Sequence, residues 1–409
     1  MRPVHRHVLL LLVVTPAFVF GQPPAGGPAG RTDYLTFAQG AVPVAIGGDG
    51  AKLGATFEHA VRIIDGDTTN FTFVNRASAG TATEFVYQLP ASTTFDRFAV
   101  PDIRETPSPN QTFARLIEIH GSPAGPDAGY TLLASAALRT HARRTDITEI
   151  APVARLPVTW VKLRLVGGIN IATPESFFSF SEIIGNGVQE TPALVDHFKG
   201  TWLWRGTSIT LRQAGPVVTG CYDRNGVLSG TVIGNILRAT GIDSDDNTKS
   251  IFILSVVGGD IRGVRSTNGA PFRVWTVPAA AAGAPGPRCA DPSQPAVGCG
   301  SIIHGITFDL DSAVIRPESE PVLAELFKAL SADRSAAIVI EGHTSSEGTD
   351  TYNLGLSERR AQAVVADLTR RGLAAARMRA VGAGEVRPIA SNNDENGRSM
   401  NRRVEVQCR

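Results

Sequence analysis

The hydrophobic pattern of this 409-residue chain changes period once, and the point of change dictates how the chain must be divided. From 32 to 277, apolar residues fall in runs of roughly four to eight, rich in β-branched and aromatic types and bounded by Gly, Pro, Asn or Asp. Glu84–Leu89, Leu116–His120, Thr159–Leu165, Phe177–Ile183, Ser208–Leu211 and Ile251–Val256 are examples. Helical spacing is nearly absent there, so this part is expected to be all-β. After 301 the pattern becomes strand–helix alternation, which marks a separate α/β unit.

The expected fold class is therefore multidomain, β plus α/β. Residues 32–190 are expected to form a jelly-roll-like β-sandwich and 191–277 a small antiparallel meander or barrel. In the second unit a hairpin is expected at 220–226, with Asn225-Gly226 supplying the positive φ. The Pro/Ala/Gly-rich stretch 278–300 reads as a linker.

Within 301–409, Ile306, Phe308 and Leu310 alternate with polar residues as a half-buried strand. Pro317 sits in the first turn of a helix with Val322, Leu323, Leu326, Phe327 and Leu330 on one face. Ala336–Ile340 reads as a central strand. Ser357 is an N-cap candidate for a second helix with Ala361, Val364, Val365 and Leu368 buried, closed by Gly372. Met378–Val381 and Arg403–Val406 complete a β-α-β-α-β-β order, a sheet with helices on one face.

Arg2, His5, Arg6 and His7 precede an apolar run from Val8 to Phe20. At ~13 residues the run is shorter than the ~20 a spanning helix needs. Basic start, short apolar core and small residues near Gly21 make residues 1–21 a secretory signal peptide, with 22–31 a flexible leader. No cysteine lies near that cleavage point, and no other apolar run reaches spanning length. Export makes the four cysteines disulfide candidates. Cys289 and Cys299 are close in a loop-forming stretch and form the simplest pair, which would leave Cys221 and Cys408 to bridge separate units.

Several function classes find no support. Acidic and basic residues nearly balance, at 38 and 39, and form no basic stripe, so no nucleic-acid partner is expected. No metalloprotease, nucleophile-elbow or P-loop motif occurs, so the chain is expected not to be an enzyme, with no cofactor and no metal. His120 and His304 read as ordinary strand residues, and Asp65-Gly66-Asp67 as a turn rather than a cation site. A membrane β-barrel is disfavoured because five Tyr and four Trp serve the whole chain and many segments are shorter than a spanning strand.

Two resemblances sharpen this reading. Asp65-Gly66-Asp67-Thr68, Ile117-Glu118-Ile119-His120-Gly121-Ser122, Trp160-Val161-Lys162-Leu163-Arg164-Leu165 and Phe180-Ser181-Glu182-Ile183 resemble, in that order, galactose-binding-like jelly rolls of the discoidin type. The C-terminal motifs are more specific. They are Phe308-Asp309-Leu310-Asp311-Ser312-Ala313, Glu341-Gly342-His343-Thr344, Tyr352-Asn353, Leu356-Ser357, Arg360-Ala361, Gly397-Arg398 and Asn401-Arg402-Arg403-Val404. Together they resemble the OmpA-like, peptidoglycan-associated family.

The second resemblance implies non-covalent binding of the peptidoglycan stem peptide, typically its diaminopimelate residue. By position, Arg360 is the carboxylate clamp, because a guanidinium can hold a carboxylate through two parallel hydrogen bonds. Thr344, Asn353, Asp311 and Arg402 supply further contacts. One departure concerns Ser345, where the family usually carries the Asp that partners the ligand ammonium. Glu347 or Asp350 on the same loop are the available substitutes.

The expected protein is thus exported to the periplasm, bound to peptidoglycan and associated with the outer membrane, holding β-rich interaction domains on the wall. Those domains would engage a glycan or an envelope protein. The alternative is a glycan-binding adhesin anchored by the same C-terminal domain; an outer-membrane barrel ranks below both.

Overall fold

A computed structural model of the protein describes residues 31–409 except Arg76, Ala79, 102–113, 139–145, 168–176, 282–295 and 334–336. The expected signal peptide, the leader up to Gly30 and Cys289 lie outside the described residues.

The first unit contains β1 (Val42–Gly48), α1 (Phe57–Arg62), β2 (Thr72–Asn75), β3 (Ala82–Pro101), β4 (Leu116–Ser122), β5 (Thr131–Ala137), β6 (Ile147–Ile150), β7 (Val158–Val166), β8 (Phe177–Phe180) and β9 (Ile184–Gln189). β3 spans 20 residues because it serves two neighbourhoods. Its first half pairs with β1 and β7, and its second half with β9 and β6, so the main sheet runs β1-β3-β7-β4-β5 with β6 and β9 beside β3. The register breaks between Gln88 and Thr93, across Pro90, which has no N–H to donate to a ladder. β2 and β8 form a separate two-stranded sheet. Phe85, Phe98, Ile117, Leu163, Phe178 and Phe180 share one apolar core, the β-sandwich expected from the sequence.

The second unit is an eight-stranded antiparallel meander in chain order. Its strands are β10 (Gly200–Trp204), β11 (Thr207–Ala214), β12 (Val217–Tyr222), β13 (Gly226–Ile233), β14 (Ile236–Asp243), β15 (Lys249–Val257), β16 (Asp260–Thr267) and β17 (Arg273–Val277). The chain past β17 closes it. Leu203 N–H donates to Pro278 O at 3.1 Å, Ala280 N–H donates to Thr201 O at 3.0 Å, and Trp202 bridges Ala279. Residues 278–280 therefore belong to the barrel, not to the expected linker, because an unpaired first edge would leave these backbone groups unsatisfied. The barrel is filled by Phe198, Trp202, Tyr222, Phe252 and Leu254. In the β12–β13 hairpin Asp223, at φ 51°, takes the positive φ that the sequence assigned to Asn225-Gly226.

The third unit holds β18 (Ile302–Ile303), α2 (Glu320–Ala332), β19 (Ile338–Gly342), α3 (Asp350–Arg370), β20 (Met378–Gly382), α4 (Glu395–Asn401) and β21 (Val404–Cys408). The sheet order is β18-β21-β19-β20, with β19 parallel to β20 and antiparallel to β21. Val322, Leu326 and Leu330 of α2 meet Ala361, Val364 and Leu368 of α3 over Ile340 and Val406.

Three local expectations are corrected. The strand expected over 306–310 is a loop: only Phe308 bridges, to Ile315, because Ser312 N–H turns back onto Asp309 O at 3.1 Å and Asp311 takes φ 52°. α3 begins at Asp350, not after Ser357. Thr349 caps it by accepting from Tyr352 N–H at 3.3 Å, and Ser357 is fully buried within the helix. Cys299 pairs with Cys408, not with Cys289, because Gly300 N–H donates to Val406 O and Val406 N–H to Ser301 O, laying the segment along β21. Cys221 is disulfide-bonded as well.

The units are not beads. β15 carries Ile251-Phe252-Ile253-Leu254, buried on both faces: Phe252 and Leu254 point into the barrel, while Ile251 and Ile253 join the sandwich core. Met400 of α4 enters the same core. Glu395 N–H donates to Asp65 O and Arg398 Nη2 to Gly66 O, both at 2.8 Å. Gly66 must be Gly: its φ is +75°, and a Cβ there would lie 2.4 Å from Glu395 Cβ.

Candidate functional site

The loop after β18 turns sharply at Asp309–Ser312, and this turn points two backbone carbonyls at α3. Arg360, in the middle of α3, donates Nε–H to Ser312 O at 2.9 Å and Nη2–H to Asp309 O at 3.5 Å. Its guanidinium lies 5.0 Å over the Phe308 ring. The side chain is only 6% exposed, yet no carboxylate among the described residues comes within ion-pairing distance of it. Burial, then the like charge of Arg402, pushes its pKa down to about 10, against a weaker pull from Asp311. It remains charged at neutral pH.

Arg360 lines a cavity of about 70 Å³ together with His304, Phe308, Arg316, Arg402 and, from outside the third unit, Arg238 of β14. Arg402 is held by Glu395, and its Nη1 lies 3.6 Å from Glu347 Oε2 and 3.5 Å from Ser345 Oγ. Ser345 in turn donates to Glu347 Oε2 at 3.2 Å. The carboxylate missing at position 345 is thus supplied beside it, by an exposed side chain two residues later.

The other expected residues divide. Asp311 is exposed in the turn that supplies the carbonyls for Arg360. Thr344 is buried with its Oγ1 unpartnered, and its N–H donates to Gly384 O at 2.9 Å. Asn353 is buried and donates to Glu385, so its side chain is committed to a protein partner. Asn401, part of the Asn401-Arg402-Arg403-Val404 motif, accepts from Ile389 and Ala390 N–H at 2.8 and 3.0 Å and secures that loop. Arg359 is exposed.

Sequence reasoning assigned no site role to three of these cavity residues, His304, Arg316 and Arg238. His304, read as an ordinary strand residue, is 3% exposed, and neither ring nitrogen makes a hydrogen bond of good geometry. Burial, then Arg403, pushes its pKa down to about 3, so it is neutral. A polar residue set among Ile302, Ile303 and Ile306 was the available signal. Arg238 had none, because nothing local places a barrel residue at a site 120 residues downstream.

Two further ionisable groups stand apart. Glu341, His343 and Glu405 are close enough to hold a cation, but Arg387 already pairs with Glu341, and Arg403 with Glu405 at 2.7 Å. In the sandwich, Glu182 is fully buried with both carboxylate oxygens unpartnered, and burial followed by Asp65 raises its pKa well above the usual range. Burial likewise raises Asp33 and Asp65 to about 7.

Residues 307–402 match the OmpA family. Outer membrane porin F of Pseudomonas fluorescens is 42% identical over 101 residues, 25% of this chain and 31% of that protein. The peptidoglycan-associated lipoprotein of Pseudomonas putida is 41% identical over 99 residues, 24% of this chain and 59% of that protein. The match spans between 29% and 52% of the first relatives' own lengths. Among solved structures, a carbohydrate-binding module from a family 31 glycoside hydrolase of Clostridium perfringens is 12% identical. It covers 37% of this chain and 93% of the module at a TM-score of 0.29, a likeness from which no ligand follows.

Proposed function

With an OmpA-like domain at residues 307–402 as premise, we propose that this protein is an exported, non-enzymatic envelope protein that binds peptidoglycan non-covalently through that domain. The observation that carries the reading is Arg360: a buried guanidinium fixed by two carbonyls and a ring, with no carboxylate partner among the described residues, facing a cavity. A buried charge without a counter-ion is costly unless a ligand supplies one. A stem-peptide carboxylate has the right charge and the planar shape a guanidinium matches. Glu347, beside Ser345, is the group available to a ligand ammonium.

In this reading the sandwich and barrel are held against the wall by the third unit and meet a glycan or another envelope protein in the periplasm of a Gram-negative-type envelope. Among the described residues no helix is long and apolar enough to cross a membrane.

The test is co-sedimentation of the full chain with purified sacculi. Arg360→Ala is expected to reduce binding about tenfold to a hundredfold, the loss of one charged hydrogen-bonding partner. Sedimentation of that variant at the wild-type level would remove the site from consideration.

A further inference from the structure

Arg238 lies on β14 between Leu237 and Ala239, which point into the barrel, so its own side chain points outward, to the seam between the units. It is 6% exposed. One Nη donates to the carbonyl of Ala38, while its buried Nε has no partner. It lines the same cavity as Arg360.

The charges around that cavity do not cancel. Arg316 is matched by Glu318 at 2.6 Å and Arg402 by Glu395, whereas Arg238 and Arg360 have no carboxylate within 4.0 Å among the described residues. Burial, then Arg402, weakens the charged form of each. Two unmatched guanidinia and a neutral His304 whose ring nitrogens lack a hydrogen bond of good geometry therefore face one small polar space. A single carboxylate satisfies one cation and leaves the other buried and unpaired.

We propose that Arg238 is a second anion-binding residue of this cavity, and that the ligand bound there carries two negative charges, as a dicarboxylate does. This deepens the peptidoglycan reading and rests on its premise that the Arg360 cavity is the ligand site. The barrel then does more than ride on the wall anchor: it completes the anchor's site and sets its preference towards dianionic ligands.

Titration calorimetry on the full chain with pimelate and with heptanoate, equal in length but carrying two carboxylates and one, tests this. Wild type is expected to prefer pimelate by about tenfold or more. Arg238→Gln should bring that ratio close to one without weakening heptanoate, Arg238→Lys should restore part of it, and Arg360→Gln should abolish binding of both. A purely structural Arg238 would lower the melting temperature of Arg238→Gln but leave the ratio unchanged, and that result overturns the proposal. So does a wild type that binds neither acid. Sedimentation with sacculi separates the two ideas. If wild type sediments in an Arg360-dependent manner while Arg238→Gln keeps its ratio, the peptidoglycan reading survives and Arg238 is excluded. If wild type and Arg360→Gln sediment alike, the peptidoglycan reading fails whatever the ratio shows.

Discussion

Replacing Arg360 by Met should weaken sacculus binding about tenfold to a hundredfold while leaving the free protein as stable as before, or slightly more so. The guanidinium's pKa is pushed down to about 10 by burial and by Arg402, well below the usual guanidinium range. At ~1.4 kcal/mol per pH unit, the charge is disfavoured in the folded state by about 3 kcal/mol. A cation whose folded pKa is depressed regains that energy only above pH 10, so the penalty is fully present under all ordinary conditions. Against it stand one good hydrogen bond to Ser312 O, about 1–2 kcal/mol, and stacking on Phe308, about 0.5–1 kcal/mol. Met keeps the apolar stem against the ring and removes the charge. The net is a stabilisation of roughly 1 kcal/mol, or about 2 °C in a thermal melt. Differential scanning calorimetry with and without sacculi reads both sides. A melt lowered by several degrees would mean that Arg360 holds the domain together, and the ligand assignment would lose its basis.

Four other outcomes follow from the same geometry. Ser345→Asp should favour diaminopimelate over pimelate by about tenfold in competition with sacculi, because it adds a fixed anion 3.5 Å from Arg402 for a ligand ammonium to join; an unchanged ratio would place that position outside the ligand's reach. Cys299→Ser with Cys408→Ser should lower the urea midpoint by the equivalent of about 2–4 kcal/mol, since the bond closes a separation of 109 residues; an unshifted midpoint would show the bond to be unnecessary. Asp65 has a folded pKa raised to about 7, so its folded state holds a proton that the unfolded chain releases near pH 4, and the stability this confers fades as pH rises towards 7. Asp65→Asn, which keeps the acceptor for Asp67 N–H, should therefore raise the denaturation midpoint at pH 8 and leave it unchanged at pH 4; equal effects at both would contradict the linkage. Gly66→Ala, forced into a positive φ and against Glu395, should make the seam more open to limited proteolysis; a wild-type digestion pattern would count against tight docking there.

The third unit was the most legible part of the chain because its signals are local. The face Val322–Leu330, the run Ala336–Ile340 and the strand Arg403–Val406 each declare themselves by spacing, and the structure has a helix over Glu320–Ala332 and strands over Ile338–Gly342 and Val404–Cys408. Misreadings arose where a local signal competed with a distant one. The alternation Ile306–Leu310 mimics a strand, but the Asp309–Ser312 turn removes its partner. Ser357 looks like a cap, but Thr349 lies two helical turns earlier and Gly355 disguises the interval as loop. The pairing of Cys299 with Cys408 depends on how the chain lies along β21, which no spacing rule contains. At the site, Arg360 was reachable through its motif. Arg238 was not, because whether a barrel residue points into a core or a seam depends on register, and its seam partner Ala38 lies 200 residues away.

That distance bears on how the chain works as a whole. Had the units been joined by a free linker, Ile251, Ile253 and Met400 would be exposed apolar groups, each disfavoured in water by about 1.5–3 kcal/mol relative to burial. Burying them fixes the sandwich and barrel against α4 and the β18 loop, and so fixes Arg238 beside Arg360. The same packing fixes Glu395, whose N–H is bound by Asp65 and whose carboxylate holds Arg402. The positions of two cations that line the cavity are therefore set by contacts outside the OmpA-like domain. A force drawn on the β units would therefore reach the cavity directly, through those contacts.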